Sequence, residues 1–79
     1  MNKSTKTLMI VDDHEMILIG LKNFLESKTD WTVAGEARDI DSAKNILQNI
    51  SSLPQIIVID IELGEESGFD LGLFVRENY

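Results

Sequence analysis

The sequence predicts an α/β protein, a doubly wound parallel sheet carrying about three strand-helix units. Three observations lead there. Short apolar runs alternate with stretches of helical periodicity, in the order strand, helix, strand, helix, strand, helix over the 79 residues. The clearest runs are apolar at every position rather than at every second one, which suits strands buried on both faces. Each pair of runs is separated by enough chain for a crossover helix, which favours parallel, right-handed connections.

Residues 1 to 6 read as a short polar tail. Leu8-Met9-Ile10-Val11 is the first strand, ended by Asp12-Asp13. Residues 15 to 27 carry Ile17, Leu21, Phe24 and Leu25 on one helical face. Met16, Leu18 and Ile19 widen that stripe, which predicts a heavily covered helix or one beside a partner. After the polar break Ser27 to Asp30, Trp31 to Ala37 reads as a second strand with β-formers at its start. Asp39 is placed to cap a helix whose stripe is Ile40, Ala43, Leu47 and Ile50, with Ile46 beside it. Pro54 cannot continue that helix and disfavours helical geometry at Leu53. Gln55 to Ile61 contains four consecutive β-branched residues and then Asp60. Glu62 to Gly68 is polar and glycine-bearing, a loop. Phe69 to Asn78 is predicted helical, although Gly72 weakens it by about 1 kcal/mol relative to alanine.

Composition narrows the functional classes. The formal net charge is −7. An acidic surface repels phosphate backbones, which argues against nucleic-acid binding by this segment. There is no cysteine, so no disulfide framework and no thiolate metal site. The first residues lack the apolar stretch of a signal peptide, and no run approaches the roughly 18 apolar residues of a spanning helix. A cytoplasmic location without a membrane partner is the expectation.

Asp12, Asp13 and Asp60 each follow a predicted strand. In open sheets of this class, ligands gather at the carboxyl ends of strands near a topological switch point. An aspartate at a strand end also serves as a helix cap or loop former, and for Asp60 alone that reading would lead. Three such carboxylates together repel one another and need compensation. Oxygen donors without sulfur or paired histidine point to Mg²⁺. An aspartate beside such an ion can act as a nucleophile toward phosphorus.

At these residues the chain resembles the N-terminal portion of a response-regulator receiver domain from two-component signalling. Leu8 to His14 resembles its first strand and acidic pair. Asp60-Ile61-Glu62-Leu63, with Gly68 eight positions after Asp60, resembles the phosphoacceptor strand and following loop. Val33-Ala34-Gly35-Glu36-Ala37, Gly20-Leu21 and Phe24-Leu25-Glu26 resemble receivers attached to helix-turn-helix transcription factors. The resemblance covers residues 7 to about 78 and implies a flavodoxin-like fold. Residues 1–79 then form one partial receiver domain, with no output domain. It implies that Asp60 accepts a phosphoryl group from a sensor histidine kinase and that the domain is not a conventional enzyme. Mg²⁺ would be held directly by Asp13, through water by Asp12, and by Asp60 and the backbone carbonyl of Glu62. In a full-length protein the output would be transcription control.

The pattern departs from the family in two places. Gly64-Glu65 stands where receivers usually carry Pro-Gly, and Glu65 and Glu66 add charge near an acidic site. The chain also stops after the third of five expected strand-helix units, before the family's Ser or Thr and its lysine. In the implied strand order 2-1-3-4-5, this makes the third strand an edge. Self-association is expected there, across Ile56 to Ile61, or through Leu71, Leu73, Phe74 and Val75. Two other classes compete: a small Mg²⁺-dependent phosphohydrolase and a non-signalling interaction fragment. The first usually places Asp-x-Asp after its first strand, whereas this chain has Asp12-Asp13-His14. His14 reads as a surface or capping residue, Trp31 as packing at the start of the second strand, and Met9 as core.

Overall fold

β1 (Thr7–Val11) occupies the middle of the sheet because its four apolar residues can be covered from both sides. In the computed structural model, which describes residues 6–79, Met9 and Val11 are fully buried on one face, Leu8 and Ile10 on the other. The predicted polar tail lies, for residues 1–5, outside that range. β1 pairs in parallel with β2 (Thr32–Ala37) and with β3 (Ile56–Ile59), giving the order β2-β1-β3. The intervening segments are α1 (Glu15–Lys28) and α2 (Ile40–Asn49). The predicted alternating architecture and parallel sheet are therefore present. None of the described helices is long and apolar enough to cross a membrane.

Each face of β1 has its own core. Met9 and Val11 meet Ala37, Ile40, Ala43, Leu47, Leu63 and Leu71, with Ile57 and Ile59 of β3 packed alongside. α2 presents Ile40, Ala43 and Leu47 of its expected stripe here, with Ile46 beside them, while Ile50 falls at the C-cap. Asp39 caps it, accepting the Ser42 amide at 2.7 Å. Leu8 and Ile10 meet Leu18, with Leu21, Leu25, Trp31 and Val33 around them. Trp31 packs at the start of β2, as expected.

α1 differs from its expected face. Its inward row is Leu18, Leu21 and Leu25, whereas Ile17 and Phe24 are 46% and 58% exposed. Met16 and Ile19 are exposed as well. The helix lies over the β1–β2 half of the sheet, where an i, i+3, i+7 row suffices, so the broad apolar stripe is not covered. On the same face Ile56 and Val58, beside Leu8 and Ile10 in register, are also exposed.

The segment after β3 is more ordered than a loop. β3 ends at Ile59 because β1, its only sheet partner among the described residues, ends at Val11. The chain then forms a small antiparallel hairpin, β4 (Glu62–Leu63) and β5 (Glu66–Ser67). This hairpin buries Leu63 in the larger core and delivers Ser67 as the cap of α3 (Gly68–Asn78). Two residues per strand, with Leu63 the single apolar one, gave too short a pattern to register as strands.

α3 corrects a further expectation. Leu71, expected to be available for self-association, is fully buried, and Phe74 and Val75 pack against the same core; only Leu73 stays exposed. Leu71→Ala is expected to cost about 3 kcal/mol through lost burial and the cavity left behind. Urea unfolding reads that loss as a lower midpoint at unchanged slope.

Candidate functional site

Two backbone hydrogen bonds build the site at the carboxyl end of the sheet. The Asp12 amide donates to the Ala37 carbonyl at 3.0 Å, one step past the β1–β2 ladder. The Asp60 amide donates to the Val11 carbonyl at 2.9 Å, one step past the β1–β3 ladder. The expected aspartates are thus held where the strands end. Ligand atoms of Asp12, Asp13, His14 and Asp60 all lie within 4.8 Å of one another. The convergence inferred from sequence is met, with a fourth member.

His14 is the residue that sequence reasoning undervalued. It is exposed and occupies the N-cap position of α1, as expected, but its side chain makes no capping bond. Its amide donates to Asp12 Oδ1 at 2.9 Å, and the tight turn this makes folds the ring back over the carboxylates. Nδ1 lies 2.8 Å from Asp12 Oδ1, 3.1 Å from Asp13 Oδ1 and 3.9 Å from Asp60 Oδ2. The Asp12 hydrogen bond, followed by the nearby Asp13 charge, holds the imidazolium above its ordinary range. The signal was present in the sequence: the chain's single histidine directly follows its acidic pair.

Asp13 Oδ1 is buried and has no hydrogen-bond partner among the described residues. Its 3.1 Å approach to Nδ1 is a charge contact, the hydrogen-bond partner of that nitrogen being Asp12 Oδ1. A buried carboxylate oxygen left without a donor, beside two further carboxylates, suits a small hard cation. Mg²⁺ fits this donor set.

The hairpin closes over the cluster. The Glu62 amide donates to Asp60 Oδ1 at 3.3 Å, which fixes the rotation of that carboxylate. Gly64 turns the hairpin at φ +63°, and a Cβ there would stand 3.8 Å from Asp13 Oδ2. This left-handed backbone suits the glycine that stands where the family usually carries Pro-Gly. Glu66, expected to add charge near the site, also has a structural partner. Its Oε1 accepts the Ile40 amide at 3.1 Å, so it satisfies a first-turn donor of α2 alongside Asp39.

Gly68 sets the floor. Its amide donates to the Ile61 carbonyl at 2.6 Å. A Cβ at this position would fall 2.0 Å from the Asp60 carbonyl oxygen and 2.9 Å from Ile59 Cγ2. The glycine noted eight positions after Asp60 is thus the point where α3 touches the backbone of that aspartate.

Comparison with known proteins places this arrangement. The response regulator receiver domain matches residues 8–78. The transcriptional regulatory protein LiaR of Bacillus subtilis is 33% identical over 63 residues, covering 80% of this chain and 29% of LiaR. The nitrate/nitrite response regulator protein NarL of Escherichia coli is 26% identical over 69 residues, covering 87% of this chain and 31% of NarL. This chain spans about a third of the length of these curated relatives. Among solved structures, a two-component response regulator of the LuxR family from Aurantimonas sp. superposes with a TM-score of 0.80 at 28% identity. That match covers 94% of this chain and 51% of the other.

Proposed function

We propose, because this chain belongs to the response regulator receiver domain family, that Asp60 is its phosphoacceptor. The observation that carries the reading is the convergence of Asp12, Asp13 and Asp60 at the ends of β1 and β3. A receiver domain is a phosphoacceptor module rather than a conventional enzyme. Its partner as donor is a sensor histidine kinase.

In this reading an Asp60 oxygen attacks the phosphorus of a phosphohistidine. The P–O bond forms as the P–N bond breaks, and the departing imidazole nitrogen takes a proton. Asp13 would hold Mg²⁺ directly, Asp12 through water, and Asp60 and the Glu62 backbone carbonyl would complete the protein's share. Bound there, the ion would neutralise charge on the transferring phosphoryl group. The protein's contribution is positioning. The Glu62 amide orients Asp60, and the ladder-end bonds of Asp12 and Asp60 hold the carboxylates in place.

A phosphohydrolase is the weaker reading, since Asp12-Asp13-His14 lacks the Asp-x-Asp spacing. The same family membership, and relatives named as transcriptional regulators, support work in the cytoplasm and control of transcription in the full-length protein. The exposed Ile56 and Val58 of β3 support self-association of the 79-residue chain.

Beryllofluoride, a mimic of the phosphoryl group, tests the site. Trp31 lies at the far end of the sheet, so ¹⁹F NMR is the better reporter. A bound fluoride signal that needs Mg²⁺ and disappears in Asp60→Asn is the expected result. A signal that survives Asp60→Asn overturns the assignment.

A further inference from the structure

We propose that His14 contributes an imidazole nitrogen to the same cation site, so that the site favours first-row transition ions such as Zn²⁺ more strongly than an all-oxygen receiver site would. The inference rests on the site reading above and goes beyond it in adding a ligand.

The distances carry the argument. An ion with bonds of about 2.1 Å sets neighbouring ligands about 3.0 Å apart in an octahedron and about 3.4 Å apart in a tetrahedron. Opposite ligands of the octahedron stand about 4.2 Å apart by the same arithmetic. Nδ1 stands 2.8, 3.1 and 3.9 Å from oxygens of Asp12, Asp13 and Asp60. The Asp13 and Asp60 values fall close to an edge and a diagonal of such a polyhedron, while Asp12 Oδ1 is the hydrogen-bond partner of Nδ1 whose proton the ion would replace. Nδ1 and the carboxylate oxygens lie within 4.8 Å of one another, so the ring and the carboxylates together must draw in modestly to share one ion.

The backbone favours this placement. The His14 amide bond to Asp12 Oδ1 closes the turn that folds the ring over the cluster. The side chain has no capping duty in α1 that it would have to abandon. The Asp13 oxygen without a donor is the one that lies 3.1 Å from Nδ1. The carboxylates that attract the imidazolium proton would equally attract a cation in its place. As the metal–nitrogen bond forms, Nδ1 releases that proton to solvent.

Donor chemistry then sets the preference. Carboxylate oxygens serve Mg²⁺ well, whereas imidazole nitrogen contributes far more to Zn²⁺ than to Mg²⁺. The nitrogen should therefore tighten Zn²⁺ binding and leave Mg²⁺ binding nearly as it is.

The test compares Zn²⁺ and Mg²⁺ affinities by calorimetry on the untagged chain and on His14→Phe, with circular dichroism confirming the fold. The expected result is a loss of about tenfold or more in Zn²⁺ affinity, the order of effect that removing one metal-supporting group produces, with Mg²⁺ affinity changed by less than about threefold. Because the chain has a single histidine, ¹⁵N NMR also reads the contact directly. Zn²⁺ should move the Nδ1 resonance away from both its neutral and protonated positions. Equal loss for both ions, or an Nδ1 resonance unmoved by saturating Zn²⁺, overturns the role of His14 while the carboxylate site stands. Failure of both ions to bind the parent chain sinks the inference and the site reading together.

Discussion

Gly68→Ala is expected to cost at least about 3 kcal/mol, at or beyond the upper end of overpacking penalties. A domain of this size is held by only about 4–12 kcal/mol in all. The added methyl would meet the Asp60 carbonyl oxygen at 2.0 Å, the Asp60 carbonyl carbon at 2.9 Å and Ile59 Cγ2 at 2.9 Å. Two of those atoms are backbone and cannot rotate away. Relief requires α3 to move, which breaks the Gly68–Ile61 hydrogen bond and draws Leu71 out of the core. Gly72→Ala, in the same helix with no non-helical atom within 4 Å of the new Cβ, is the control and should gain about 1 kcal/mol from helix propensity. Urea unfolding of both variants decides the matter. A Gly68→Ala cost below that of a typical surface change would mean that α3 does not rest on Asp60.

Asp13→Asn should separate stability from function. Like charges about 4 Å apart repel by roughly 1–4 kcal/mol, depending on how much water screens them. Asp13 shares its cluster with Asp12 and Asp60, and among the described residues His14 stands between them as a counter-charge. Neutralising it removes repulsion and supplies an amide that can donate to a neighbouring carboxylate. Without divalent cations the variant should melt above the parent chain, by several degrees for a gain of about 1 kcal/mol. Saturating Mg²⁺ should raise the parent melting temperature and leave that of the variant almost unmoved, because a ligand stabilises only the state that binds it. A variant that melts lower than the parent without metal, or that responds equally to Mg²⁺, would show that Asp13 is no part of a cation site. Sites of this kind sacrifice stability to keep their chemistry.

Much of this was legible in the residues. The apolar run Leu8–Val11 and the β-branched run before Asp60 fix two strands, and their terminal aspartates fix the site. Asp39 announces the start of α2. The rest depends on tertiary context that no local pattern contains. The true inward row of α1 could not be chosen from a helix with seven large apolar residues, because the choice depends on how much sheet lies beneath it. Leu71 looked available for a partner because a short, glycine-interrupted helix gives no clear face. The β4–β5 hairpin stayed hidden because it is only two residues wide on each side. The partner of Glu66, the Ile40 amide, is 26 residues away and so lay beyond any local pattern. His14 was underestimated because a turn, rather than periodicity, aims its ring.

The most direct test is to map the phosphorylated residue itself. The chain is incubated with acetyl phosphate and Mg²⁺, then treated with borohydride, which converts an aspartyl phosphate to homoserine, and sequenced by mass spectrometry. Homoserine at position 60, absent when Mg²⁺ is omitted, is the predicted result. Modification at another aspartate, or at position 60 without regard to Mg²⁺, would contradict it.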